Sequence, residues 1–142
     1  LCMAFTGVGI ATQHPYQYAY YQPLVQLRGM DYNELDYWNV SARDALIRLA
    51  GAYEGVLTVE PADLWSEYAL QRALASLPDE LAGRLVCLPE GSGARFVLSN
   101  PTYACFSGFS PGADMAECVT LSAYGHPIMI LYERTAKEAD RP

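Results

Sequence analysis

The run at residues 41–59, SARDALIRLAGAYEGVLTV, decides the fold class. Ala42, Ala45, Leu46, Leu49 and Ala50 recur at helical spacing and give one apolar face. Ser41 with Asp44 three residues on is a capping-box pattern, which sets the helix start at Ser41. Gly51 or Gly55 ends the helix. Residues 56–59 then read as a short buried strand. A helix followed at once by a short apolar strand predicts parallel α/β packing.

Downstream the alternation continues. Pro61 suits the first turn of a second helix. Asp63 and Glu67 set negative charge near its N-terminus, where the helix dipole favours it. Leu70, Ala73, Leu74 and Leu77 form its core stripe, with Trp65 and Tyr68 either extending that stripe or lying exposed. Residues 78–81 are a break or a second short helix, closed by Gly83. Residues 84–88 (RLVCL) and 95–98 (RFVL) read as strands around a turn at 90–94. Residues 99–115, rich in Gly, Pro and Ser, read as a loop holding Tyr103, Phe106 and Phe109. Its rings either contact a ligand or partner, or tuck over a sheet edge. Residues 117–124 and 128–133 read as two strands joined by a tight turn at Gly125-His126-Pro127, with His126 facing solvent. The charged tail from Thr135 is expected to fray. The expected fold is α/β: one domain of two or three layers with a mixed sheet of about five strands, at least two helices and a C-terminal antiparallel hairpin.

Upstream, residues 14–38 read HPYQYAYYQPLVQLRGMDYNELDYW. Pro15 biases His14 away from helix. Tyr16, Tyr18, Tyr20 and Tyr21 follow, then an acidic cluster of Asp31, Glu34 and Asp36 before Tyr37 and Trp38. The acidic spacing is loose and suits a solvated turn better than a metal site. Residues 1–12, LCMAFTGVGIAT, carry no charge. They are shorter than the roughly 20 apolar residues that span a bilayer, and they lack the charged start of a signal peptide. Two readings stay open: a buried first strand or helix, or the last turns of a transmembrane helix. Tyr-rich sequence directly after an apolar run suits a helix leaving a bilayer, or rings covering the domain's own sheet. The expected divisions are 1–12 apolar lead-in, 13–40 aromatic connector, 41–134 α/β domain and 135–142 tail.

The bulk numbers narrow the chemistry. A length of 142 residues suits one domain. The net charge of −7, with basic residues scattered, argues against a nucleic-acid partner. Four cysteines are present without a C-x-x-C pair, so no zinc ribbon is indicated. Cys105 and Cys118 flank a Gly/Pro-rich stretch; a disulfide between them would suit an oxidising compartment, and two unrelated thiols is the alternative. No G-x-S-x-G, H-E-x-x-H or P-loop occurs. Gly7-Val8-Gly9 lacks the third glycine of a dinucleotide fingerprint. The two histidines lie far apart, so no catalytic pair and no cofactor is indicated in this chain.

The segments His14-Pro15-Tyr16-Gln17-Tyr18-Ala19-Tyr20-Tyr21, Leu24-Val25, Leu35-Asp36-Tyr37-Trp38 and Ser41-Ala42-Arg43-Asp44-Ala45-Leu46 carry a resemblance. Together they resemble the region after the last membrane helix of bacterial polytopic glycosyltransferases of the dolichyl-phosphate-mannose protein mannosyltransferase type. ARFVLSNP and GHPIMILYER resemble the end of the soluble tail in the same family. The chain departs from the family pattern at Tyr21-Gln22, where Phe-Asn is usual, at Asn39, where Gly is usual, and near Val25, where a Gly-Gly is absent.

The resemblance implies an extracytoplasmic C-terminal domain on the cytoplasmic membrane. Its parent enzyme would move a sugar from a polyprenyl-phosphate carrier to an acceptor. The family's catalytic carboxylates lie in an early outer loop, so no catalytic residue carries over. His14, Tyr16, Gln17, Asp36, Tyr37 and Trp38 match the motif; they would pack against the membrane domain of the same chain, help line the acceptor cleft, or form a belt seating the domain on the bilayer surface. The competing expectation is an independent extracytoplasmic domain that grips a glycan or protein through residues 103–109.

Overall fold

The computed structural model describes residues 39–123 and 125–135, with Gly7, Val8, Ala11 and Asp36. The elements are α1 (Ser41–Ala52), β1 (Leu57–Pro61), α2 (Leu64–Ala75), α3 (Asp79–Ala82), β2 (Leu85–Cys87), β3 (Phe96–Ser99), α4 (Pro101–Ser107), β4 (Met115–Ala123) and β5 (His126–Arg134). The strands form one five-stranded sheet in the order β2-β1-β3-β5-β4. β1 runs parallel to both β2 and β3. β5 runs antiparallel to both β3 and β4. The fold is therefore the mixed α/β sheet with a closing hairpin that the alternation of periods predicts.

Side-chain alternation gives each strand two faces. Phe96 and Leu98 of β3 join Leu57, Val59 and Leu131 in the main core, under Leu46 and Leu49 of α1 and Leu70 of α2. Val97 points the other way, into a smaller cluster with Ala62, Ile130 and Tyr132, covered by Phe109 and Met115. Fully burying a Leu or Phe side chain contributes about 1.5–3 kcal/mol, so the larger core supplies most of the stabilisation from apolar burial.

The parallel strands are staggered. β2 pairs with Leu57, Thr58 and Val59, whereas β3 pairs with Val59, Glu60 and Pro61. The chain between β2 and β3 therefore crosses β1. Thr58 Oγ1 accepts from the Arg95 amide at 3.0 Å. Glu60, fully buried, accepts from the Ala94 amide at 3.0 Å and from the Arg134 guanidinium. Arg134 also donates to the Ala94 carbonyl at 3.1 Å and lies 3.6 Å from Asp114. A buried carboxylate is tolerated when its charge is matched and its oxygens are bonded.

Five local expectations are corrected. Ser41 starts α1 but does not cap it: Val40 is the cap residue, with no side-chain bond of its own. The Asp36 carboxylate instead takes the Val40 and Ser41 amides at 3.0 and 3.3 Å, and the Ser41 hydroxyl. Neither Gly51 nor Gly55 ends α1; Ala52 is its last residue and Tyr53 follows. Pro61 closes β1 rather than opening α2, because Asp63 supplies the cap and accepts from the Ser66 amide at 2.7 Å. Residues 101–107 are helical, not loop: Asn100 caps α4, Pro101 occupies its first turn, and Gly108 ends it in the left-handed conformation. His126 and Pro127 belong to β5, and the hairpin turns through Gly125, whose φ of 79° suits glycine.

Candidate functional site

Three helices begin at one pole of the sheet. α2 follows the end of β1, α4 follows the end of β3, and α1 starts beside them. Helix starts leave amides without intrahelical acceptors and carry the positive end of the dipole. Three side chains meet that demand: Asp36 on α1, Asp63 on α2 and Asn100 on α4. All three are buried, as are Ser41, Ser66 and Ser99 around them.

The caps are also joined to one another. Asn100 Nδ2 donates to Asn39 Oδ1 at 2.8 Å and to the Asp36 carbonyl at 3.4 Å. The Asn100 amide donates to Ser66 Oγ at 3.4 Å. The Ser107 hydroxyl donates to Asp63 Oδ2 at 3.1 Å. Both oxygens of Asp36 and both of Asp63 thus accept hydrogen bonds from the fold. The carboxyl ends of parallel strands are where open α/β sheets place ligands. Here the same ground is occupied by two carboxylates and a carboxamide that cap three helix starts, with Asn100 also bonded to the incoming chain at Asp36 and Asn39. Chemically it is a polar bolt, with its carboxylates committed to holding backbone amides.

Aromatic side chains lie beside the bolt. Trp65 of α2 stacks on Tyr103 of α4, ring centroids 5.2 Å apart and 24° between planes. Leu64, Tyr68 and Phe106 are exposed on the same two helices.

A small cavity of about 230 Å³ opens past the end of β2, lined by Pro61, Glu67, Leu70, Gln71, Cys87, Leu88 and Pro89. Gln71 there donates to Glu67 at 3.1 Å. Cys87 is exposed, and partial desolvation of its thiol pushes it up to about 11, which disfavours the thiolate near neutrality. Far from the pole, the Tyr53 hydroxyl donates to Glu133 at 2.7 Å and Arg95 pairs with Glu133 at 2.7 Å. The Tyr53 hydroxyl is pushed up to about 12, first by that bond and then by burial. The Glu133 carboxyl is lowered, chiefly by the bond from Tyr53, with Arg95 adding to it.

Of the six residues that match the family motif, Asp36 is the one described, and it sits 1 % exposed in the bolt. His14, Tyr16, Gln17, Tyr37 and Trp38 lie outside the described residues, as does the Cys105 side chain. Cys118 carries a free thiol at a register shift in β4 and donates to the Leu131 carbonyl at 3.3 Å. Among the described residues no group of three or more His, Cys, Asp or Glu is placed to hold a metal, and no helix is long and apolar enough to cross a membrane.

Sequence reasoning missed Asn100 and Ser66. The signal was present at Asn100-Pro101, an N-cap residue ahead of a proline at the first helical position. Comparisons of the chain with protein-family models, with curated proteins and with solved structures find no match. The class that fold and site define is a small mixed α/β domain with Asp36 and Asn39, just ahead of its first described long helix, bonded into the carboxyl pole of its sheet.

Proposed function

We propose that this chain is an accessory, non-catalytic extracytoplasmic domain of a membrane glycosyltransferase that transfers a sugar from a polyprenyl-phosphate carrier. The observation that carries this reading is the anchoring of Asp36 and Asn39. The segment ending there bears the family-like His-Pro-Tyr-Gln and Asp-Tyr-Trp motifs, and its last residues are bonded to Asn100 and to the start of α1. A connector keyed into the fold in this way passes on the position of its membrane-proximal part. It suits a domain that steadies an acceptor cleft formed elsewhere. The buried carboxylates Asp36, Asp63 and Glu60 are engaged as caps or in an ion pair, which suits scaffold duty.

The test uses membranes holding the product of the complete reading frame. Sugar transfer from a polyprenyl-phosphate sugar to an acceptor is the expected activity. Asn100→Ala should lower it without abolishing it, whereas replacing acids in an early outer loop should abolish it. Membranes that show no carrier-dependent transfer would overturn the reading.

A second reading, an independent domain that binds a glycan or protein, is favoured by the exposed ring of Phe106 beside the Trp65–Tyr103 stack. Saturable binding of oligosaccharides to the isolated chain, lost in Phe106→Ser, would select it.

A further inference from the structure

The exposed apolar side chains are not evenly spread. Eight large hydrophobic residues are exposed among the described ones, and five of them, Val40, Leu64, Trp65, Tyr68 and Phe106, belong to the start of α1, the first half of α2 or α4. These are the segments that meet at the bolt. Phe106 is 74 % exposed and Trp65 48 %. Leu64, Trp65 and Tyr68 are neighbours at helical spacing, and the Trp65–Tyr103 stack ties them to the helix that carries Phe106. Exposed rings gathered on two helices that touch through a ring stack, with Glu67 exposed among them, mark a candidate contact site.

We propose that this pole docks into the interfacial zone of a lipid bilayer, with Trp65, Tyr68 and Phe106 entering the headgroup layer. The proposal rests on the membrane part of the reading above. Two features select lipid as the occupant. Trp and Tyr combine an apolar body with a polar tip, which suits the boundary between water and hydrocarbon.

The second feature is where the chain enters. Residues 1–12 are uncharged, four tyrosines follow at 16–21, and the chain reaches the fold at Asp36, within this pole. Even fully extended, the residues between cover at most about 80 Å. That tether holds the patch near whatever surface the uncharged run enters, so a modest affinity per ring is enough. The net charge of −7 makes a zwitterionic surface the appropriate probe.

The experiment uses the whole chain carrying Trp38→Phe, which leaves Trp65 as its sole tryptophan. It is mixed with phosphatidylcholine vesicles whose acyl chains are brominated. Trp65 emission should shift to the blue and be quenched, and its access to iodide should fall. Adding Tyr68→Ser and Phe106→Ser should weaken that quenching roughly tenfold in lipid concentration, with an unchanged unfolding midpoint showing that the fold is intact. A Trp65 emission unmoved by lipid overturns the proposal, and so do two further results. One is a chain that sediments with vesicles while Trp65 stays open to iodide. The other is a Trp65 already shielded without vesicles, which would show another part of the chain covering it. None of these results bears on sugar transfer: an active transferase with an accessible Trp65 removes the docking alone.

Discussion

Asp36 stands in the acidic cluster of the connector, yet it is a structural residue of α1. It takes the Ser41 amide that the Ser41/Asp44 spacing assigns to Asp44, and the Val40 amide besides, because a carboxylate five residues upstream can reach them once the turn at Asn39 brings the chain around. Asp36→Ala removes a cap and leaves the buried Ser41 hydroxyl without its acceptor. Denaturant unfolding should show a loss of about 2 kcal/mol. Asp44→Ala, at a partly exposed position, should stay within about 0.5 kcal/mol; equal losses would restore the capping-box assignment. The Tyr53–Glu133 pair sets a pH dependence at both ends. The folded state lowers the Glu133 carboxyl, so its contribution is present above the ordinary value of 4.5 and drains away as pH falls through the lowered value. The folded state raises Tyr53, so its contribution is intact below 10 and is lost as pH climbs towards 12. Glu133→Gln should cost about 1 kcal/mol at neutral pH. Its difference from the wild type should shrink in unfolding measured below pH 4.5.

At the scale of elements, α1 is fixed at both ends by side chains distant in sequence. Asp36 holds its start, and the Arg84 guanidinium binds the carbonyls of Ala50, Tyr53 and Gly55 at and beyond its end. Periodicity showed the helix and its buried face, since Ala42, Ala45, Leu46, Leu49 and Ala50 are all in the core. It was silent on Arg84, because a long-range bond to carbonyls leaves no local pattern. α4 was missed for a different reason. Its seven residues are too few for a periodic stripe, and its Gly- and Ser-rich flanks outweighed the Asn-Pro start signal. Pro61 shows the converse error, a helix-start residue serving at the end of a strand. The β2–β3 crossing depends on Glu60 and Arg134. Arg134→Met strands the buried Glu60 charge and should cost about 3 kcal/mol in equilibrium unfolding. Adding Glu60→Gln should return much of that loss, though not all, since the Ala94 carbonyl also loses its donor.

For the whole molecule, the helix–strand alternation and closing hairpin made the mixed sheet legible, but strand order was not. A crossing from β2 to β3 over β1, with no helix in it, has no signature beyond the Gly-rich turn at residues 91–94. The bolt was legible only in pieces, as Asp63 and as the acidic connector, because its members come from four separate stretches of chain. The order β2-β1-β3-β5-β4 puts the last strand inside the sheet, bonded on both sides. A chain cut after Ala123 should therefore be insoluble, since β3 would keep a bare edge and β4 would have nothing to pair with; a soluble, cooperatively unfolding truncation would contradict this. The same placement sets a timetable for synthesis. A ribosome that has released everything through β4 has still delivered no finished sheet. The domain can close only after Arg134 clears the exit tunnel, and until then the growing chain depends on its surroundings to stay apart from its neighbours.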